Sequence, residues 1–176
     1  MLVYWIVIAI LVALDQLSKT LVASDPAKYA DLPLIPGFFH ITYVKNTGAA
    51  WSILSGQRVF LSLLAAVAAV GMAAWLHQNH KKNPPLMNIA LTLMIAGALG
   101  NLIDRLMLGY VRDFLNFYIF GYDFPVFNVA DICLSIGVCL LLLCSFLDTK
   151  KEETENDADN GPENRRPDHG ECGTDR

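Results

Sequence analysis

The sequence predicts an all-α integral membrane protein, four transmembrane helices carrying a small β-containing extracytoplasmic cradle. Three observations predict it. Of 176 residues 54% are apolar and 17% charged, against roughly a quarter charged in a soluble domain. Four apolar runs each come near the roughly 20 residues that a helix needs to cross about 30 Å of hydrocarbon. The charges gather at one end: ten acidic and five basic residues stand from Asp148 onward, against seven and eight in the 147 residues before it. The net charge of −4 therefore describes a tail. With no basic stripe to neutralise phosphates, no nucleic-acid partner is expected.

The first span runs from Leu2 to about Val22 and is interrupted by Asp15 and Lys19. No basic residue precedes its apolar core and no small-residue cleavage site follows at once, so it reads as a retained span rather than a cleaved leader. Spans two to four run from about Val59 to Leu76, from Leu86 to about Leu108, and from about Phe127 to Leu147. This divides the chain into a membrane domain, 1–149, and an acidic tail, 150–176. The tail is too polar to offset its ordering entropy and is expected to be disordered. Cys133, Cys139 and Cys144 read as small apolar residues of the last span, and Cys172 lies in the tail. None has metal-ligand spacing. His77 and His80 read as part of a solvated loop with Lys81 and Lys82, so no metal and no cofactor is expected.

Lysines and arginines near the spans tie in number, Lys81, Lys82, Lys150 and Lys151 against Lys28, Lys45, Arg58 and Arg112. The first group is packed into short flanks, where the positive-inside rule acts. Both termini and the 77–85 loop are therefore placed in the cytoplasm. Four spans then bring the end of span one, the end of span three and the start of span four to one outer face. Asp15, Lys19, Asn101, Asp104, Arg105, Asn128 and Asp131 lie at those three places, beside the polar-rich stretches 25–57 and 109–126.

A charge inside a span costs about 2.5–3.5 kcal/mol on insertion scales, so each of these needs a partner or a task. Asp15 and Lys19 are spaced i,i+4 with the acid first, which suits a local ion pair. Asp104 and Arg105 could be an interfacial pair that ends span three. Asn101 and Arg105 share a face away from lipid, and Gly97 and Gly100 allow a close helix approach. In "PVFNVADICLSIG", Asn128 reads as an N-cap and Asp131 as N3, where a capping box is one use and anion stabilisation by the helix dipole another. Asp113, in "VRDF", follows span three by a short link and returns to the same layer. Two carboxylates within reach of one another hold a single shared proton, an arrangement suited to activating water against an amide. "FFHITYVKNTGAAWS" predicts a β-prone run from Phe38 to Val44 and a turn at "KNTG", with Asn46 able to hold a carbonyl. Trp51 and the aromatic run 114–124 suit the lipid–water interface. Two other classes fit part of this pattern. A proton-coupled transporter would spread its polar groups along the membrane depth, and an assembly factor would use the acids only for pairing.

Five blocks in order, "DQLSK" (15–19), "KNTGAAW" (45–51), "GALGNLIDR" (97–105), "VRDF" (111–114) and "FNVAD" (127–131), resemble the lipoprotein signal peptidases, or type II signal peptidases. The resemblance implies an aspartic endopeptidase of the bacterial inner membrane. Its partners would be prolipoproteins already carrying a diacylglyceryl group, cut just before the modified cysteine, and membrane lipid. It implies Asp113 and Asp131 as the catalytic dyad. Asn46, Gly48, Asn101, Arg105 and Asn128 would hold dyad and substrate, with Asp15, Lys19 and Asp104 supporting the architecture and the enzyme acting as a monomer. Ala96 stands where the family usually has a second glycine before Gly97.

Overall fold

The structure, a computed structural model, describes residues 1–48 and 56–159, the side chains of 148–159 excepted. Four helices form the body: α1 (Leu2–Ala23), α2 (Arg58–Asn79), α3 (Pro85–Met107) and α4 (Val129–Asp159). All four are long and apolar enough to cross a membrane, α4 over Val129–Leu147. The predicted boundaries agree within a few residues because length and hydropathy set them. His77 lies in the last turn of α2 and His80 caps it, so the helix runs further than the predicted loop allowed. At its far end α4 continues to Asp159, past the predicted boundary at Lys150; residues 160–176 and Trp51 lie outside the described residues.

α3 is the hub and packs against α1, α2 and α4. Its sequence explains why. Small residues at Ala90, Ala96, Gly97, Ala98 and Gly100 are buried and let neighbouring backbones approach. A Cβ on Gly97 would strike the Ala130 carbonyl and Leu134 of α4, and one on Gly100 would meet Asp15 Oδ2 at 2.6 Å. Ala96 faces elsewhere, in a cluster with Ile8 of α1 and Leu76 of α2, so it does not touch the α3–α4 seam. Pro85 at the first turn of α3 needs no backbone partner there. Gly109, at φ +88°, turns the chain just past the helix, where a Cβ would meet the Arg58 guanidinium at 2.9 Å. The remaining faces of α1, α2 and α4 carry exposed Leu, Val, Ile and Phe, as a surface solvated by lipid requires. Cys133 and Cys144 are buried and Cys139 exposed in α4.

A four-stranded antiparallel sheet joins the helix ends: β1 (Leu32–Ile35), β2 (Phe39–Asn46), β3 (Val111–Ile119) and β4 (Tyr122–Asp123), in that spatial order. β2 continues through Lys45 and Asn46, so the predicted turn begins only at Asn46, whose Oδ1 accepts the Gly48 N–H at 2.9 Å. β3 occupies the stretch expected to supply interfacial aromatics. That expectation fails for much of it: Phe114 is buried, Phe117 stacks between Phe39 and Phe127, and Phe124 packs edge-on against Phe127. Only the β3–β4 hairpin tip, Ile119, Phe120 and Tyr122, stays exposed. Phe120 (φ 51°) and Gly121 (φ 80°) both take left-handed backbone there, the twist that a two-residue hairpin demands.

Candidate active site

Strand β3 and helix α4 deliver the two acids. Register pairs Asp113 with Val44, and Asn46 with Val111, so Asp113 and Asn46 stand on the same face of adjacent strands. Asp113 Oδ2 accepts from Asn46 Nδ2 at 2.9 Å and its Oδ1 from Asn128 Nδ2 at 2.6 Å. Asp131 sits at N3 of α4 in a reciprocal capping box: its N–H donates to Asn128 Oδ1 at 3.0 Å, and its Oδ2 accepts the Asn128 N–H at 3.2 Å. The cap and the acid site are thus one structure rather than alternatives. Asp131 Oδ1 also accepts from Asn101 Nδ2 at 2.7 Å.

Asn128, fully buried, ties the acids together. One amide hydrogen binds Asp113 and the other Asn101 Oδ1 at 3.1 Å, while its carbonyl holds the Asp131 backbone. Asn101 Oδ1 in turn accepts from Lys19 Nζ at 2.9 Å. Lys19, also fully buried, pairs with Asp15 at 2.8 Å and stands 3.8 Å from Asp104. Asp15 does more than the predicted local pair: its Oδ1 accepts the Ala130 N–H at 2.9 Å, capping the first turn of α4 from α1. Asp104 does not pair with Arg105. Its partner is Arg112, at 2.7 Å, because the turn at Gly109 folds β3 back over the end of α3. Arg105 reaches the other way and donates to the Gly48 carbonyl at 3.1 Å.

The ten site residues expected from the sequence therefore fall within this one layer. Asn46, Asn101, Arg105, Asp113 and Asp131 line one end of a cavity of about 750 Å³ whose deeper walls are Ala65, Ala68 and Met72 of α2, Met94 of α3 and Leu134 of α4. Behind them stand Asp15, Lys19, Asp104 and Asn128. Sequence reasoning missed Gln16 and Arg112. Gln16 donates to Asp104 and to the Gly100 carbonyl, and it accepts from Arg112.

Burial, and then the charge of Asp131, push the Asp113 carboxyl up to about 7; the amides of Asn46 and Asn128 oppose that rise without cancelling it. Charge balance supports a retained proton. Four carboxylates (Asp15, Asp104, Asp113 and Asp131) meet three cations, Lys19, Arg105 and Arg112. One proton on the Asp113–Asp131 pair makes the cluster neutral, the cheapest state in a low dielectric.

Residues 7–147 match the family described as signal peptidase (SPase) II. The lipoprotein signal peptidase of Symbiobacterium thermophilum is 48% identical over 78% of this chain and 91% of its own length. That of Bacillus subtilis is 39% identical over 86% and 98%, and that of Shewanella halifaxensis 45% identical over 88% and 91%. A bacterial membrane enzyme solved by the in meso method at 2.3 Å resolution superposes with a TM-score of 0.78 at 36% identity, covering 86% of this chain and 92% of that one. This multi-pass membrane protein belongs to the signal peptidase II family of aspartic endopeptidases.

Proposed function

We propose that this enzyme cleaves diacylglyceryl-modified prolipoproteins just before the lipid-bearing cysteine, with Asp113 and Asp131 as the catalytic dyad. The observation that carries this is the meeting of the two acids at the polar end of an otherwise apolar cavity, bridged by Asn128. One carboxyl of the pair keeps a proton, which we assign to Asp113, raised to about 7 by burial and by the charge of Asp131. The other, Asp131, takes a proton from a water held between them as that water attacks the scissile carbonyl, whose oxygen Asp113 polarises. Proton return to the leaving amine completes the hydrolysis. Arg105, anchored on the Gly48 carbonyl, and Asn46 stand where the peptide backbone would cross.

The cavity lies between α2 and α4 over α3, and its apolar walls suit a signal segment and acyl chains entering sideways from lipid. A diacylglyceryl anchor keeps the substrate in the outer leaflet, which agrees with a dyad near the extracytoplasmic face and both termini in the cytoplasm. The same reading takes the protein as a monomeric enzyme of the inner membrane with residues 150–176 as an acidic cytoplasmic tail. The transporter reading requires polar groups along the depth, and the deeper cavity walls are apolar apart from Ser135, one turn past Asp131.

The test uses purified protein in detergent with a diacylglyceryl-modified prolipoprotein, following the shift to the cut product. Wild type is expected to cleave, while folded Asp113→Asn and Asp131→Asn each lose about 10³-fold or more in kcat. Failure of well-folded wild type to cleave overturns the substrate assignment. Near-normal cleavage by either variant overturns the dyad.

A further inference from the structure

Arg112 precedes Asp113 on β3 and, by the alternation of a strand, points to the opposite face. It forms five hydrogen bonds that gather three elements. Its backbone N–H and Nε donate to Asp104 Oδ2 at 2.9 and 3.1 Å, and Nη2 donates to Asp104 Oδ1 at 2.7 Å. Nη2 also reaches Gln16 Oε1 at 2.9 Å, and Nη1 reaches Thr20 Oγ1 at 3.2 Å. The planar fork thus grips the end of α3 and the last turns of α1 at once, a geometry that a lysine cannot reproduce. This grip fixes the backbone one residue from the dyad carboxyl. We propose that Arg112 is a positioning residue of the dyad: its clamp on Asp104, Gln16 and Thr20 holds β3 in the register that sets Asp113 against Asp131, and its charge supplies one of the cations that leave the pair a single proton.

The proposal rests on the dyad reading. Charged and titratable groups facing this network are Asp15 and Lys19 from α1, Asp104 and Arg105 from α3, and Asp131 from α4. Tyr43 and Lys45 from β2 and the neighbouring Tyr110 are the others among the described residues. Removing Arg112 leaves this set more negative, so protons on the dyad bind more tightly and the pH–rate profile moves to higher pH.

The experiment measures kcat, KM, the pH profile of kcat and thermal unfolding for full-length wild type, Arg112→Gln and Arg112→Lys, with Asp113→Asn in the same assay. Arg112→Gln is expected to lower kcat about 10- to 100-fold, to change KM less than about two-fold, and to move the profile upward by about half a pH unit. Arg112→Lys keeps the profile in place but recovers only part of kcat, since it restores charge without the fork. Arg112→Gln with wild-type kcat and profile overturns the proposal, as does a loss that merely follows the folded fraction with an unmoved profile. If Arg112→Gln does not fold, Arg112→Lys decides, and an unchanged kcat overturns it. Cleavage by Asp113→Asn sinks the dyad itself; a dead Asp113→Asn beside normal Arg112 variants sinks the positioning role alone.

Discussion

Helices α2 and α3 have nearly the same length, and α2 has the higher mean hydropathy, 2.3 against 1.8, yet it is α3 that is buried. α2 points Val59, Phe60, Leu63, Val67 and Val70 outward and carries no carboxylate. α3 buries alanines, glycines, Asn88, Asn101 and Asp104. In water the greasier helix would be the core. In lipid the tails are as apolar as leucine, so burial instead follows small residues that admit close backbones and polar groups that need partners. α2 serves as one wall of the cavity, and α3 as the frame on which the acids are assembled.

The largest expected break of this comparison comes from equal changes at unequal glycines. Gly97→Leu drives a side chain into the Ala130 carbonyl and Leu134, next to Asp131, and is expected to abolish both folded protein and cleavage. Size-exclusion profiles and the cleavage assay check this. The milder Gly97→Ala still overpacks the seam by about 1–3 kcal/mol, read as a lowered unfolding temperature in detergent.

A pH scan sharpens the comparison next, because Asp113 and Asp131 line the cavity that α2 walls. On the proposed mechanism Asp113, raised to about 7, keeps its proton to polarise the carbonyl. Rate is therefore expected to fall about tenfold per unit once pH climbs past about 7. The sign for stability is the same: the folded state binds this proton more tightly than the unfolded chain, so the contribution is full at low pH. It is lost as pH rises from the ordinary 3.8 through about 7. Thermal unfolding at pH 5 and pH 8 checks it, with Asp113→Asn expected to flatten the difference.

The smallest effect belongs to α2. A Cβ on Gly71 meets nothing within 4 Å, so Gly71→Ala is expected to leave kcat unchanged. It should stabilise by up to about 1 kcal/mol through helix propensity, measured by the same unfolding assay.

The four spans were legible because length and apolar continuity set them with little help from tertiary structure. The layer of polar residues was legible too, since connectivity alone returns the ends of α1 and α3 and the start of α4 to one side. β3 was not. Its sequence, VRDFLNFYI, is covered on both faces and so lacks the period-two alternation that marks a half-buried strand. Arg112 was hidden for a related reason. Asp104 had a cation next door in Arg105, and only the turn at Gly109 shows that the partner is eight residues on. A glycine just past a helix, followed by a basic residue flanking an acid, is the signal that would have found it.

Asp15 and Lys19 belong to a single turn of α1 and neutralise one another as soon as that helix forms. Their remaining partners, Asn101, Asp104 and the Ala130 N–H, are synthesised some eighty to one hundred and fifteen residues later. The first helix can therefore enter the bilayer as a self-neutralised segment and wait. The order of synthesis is then also the order of closure: the network is complete only when α4 brings Asp131 and the Ala130 N–H to it.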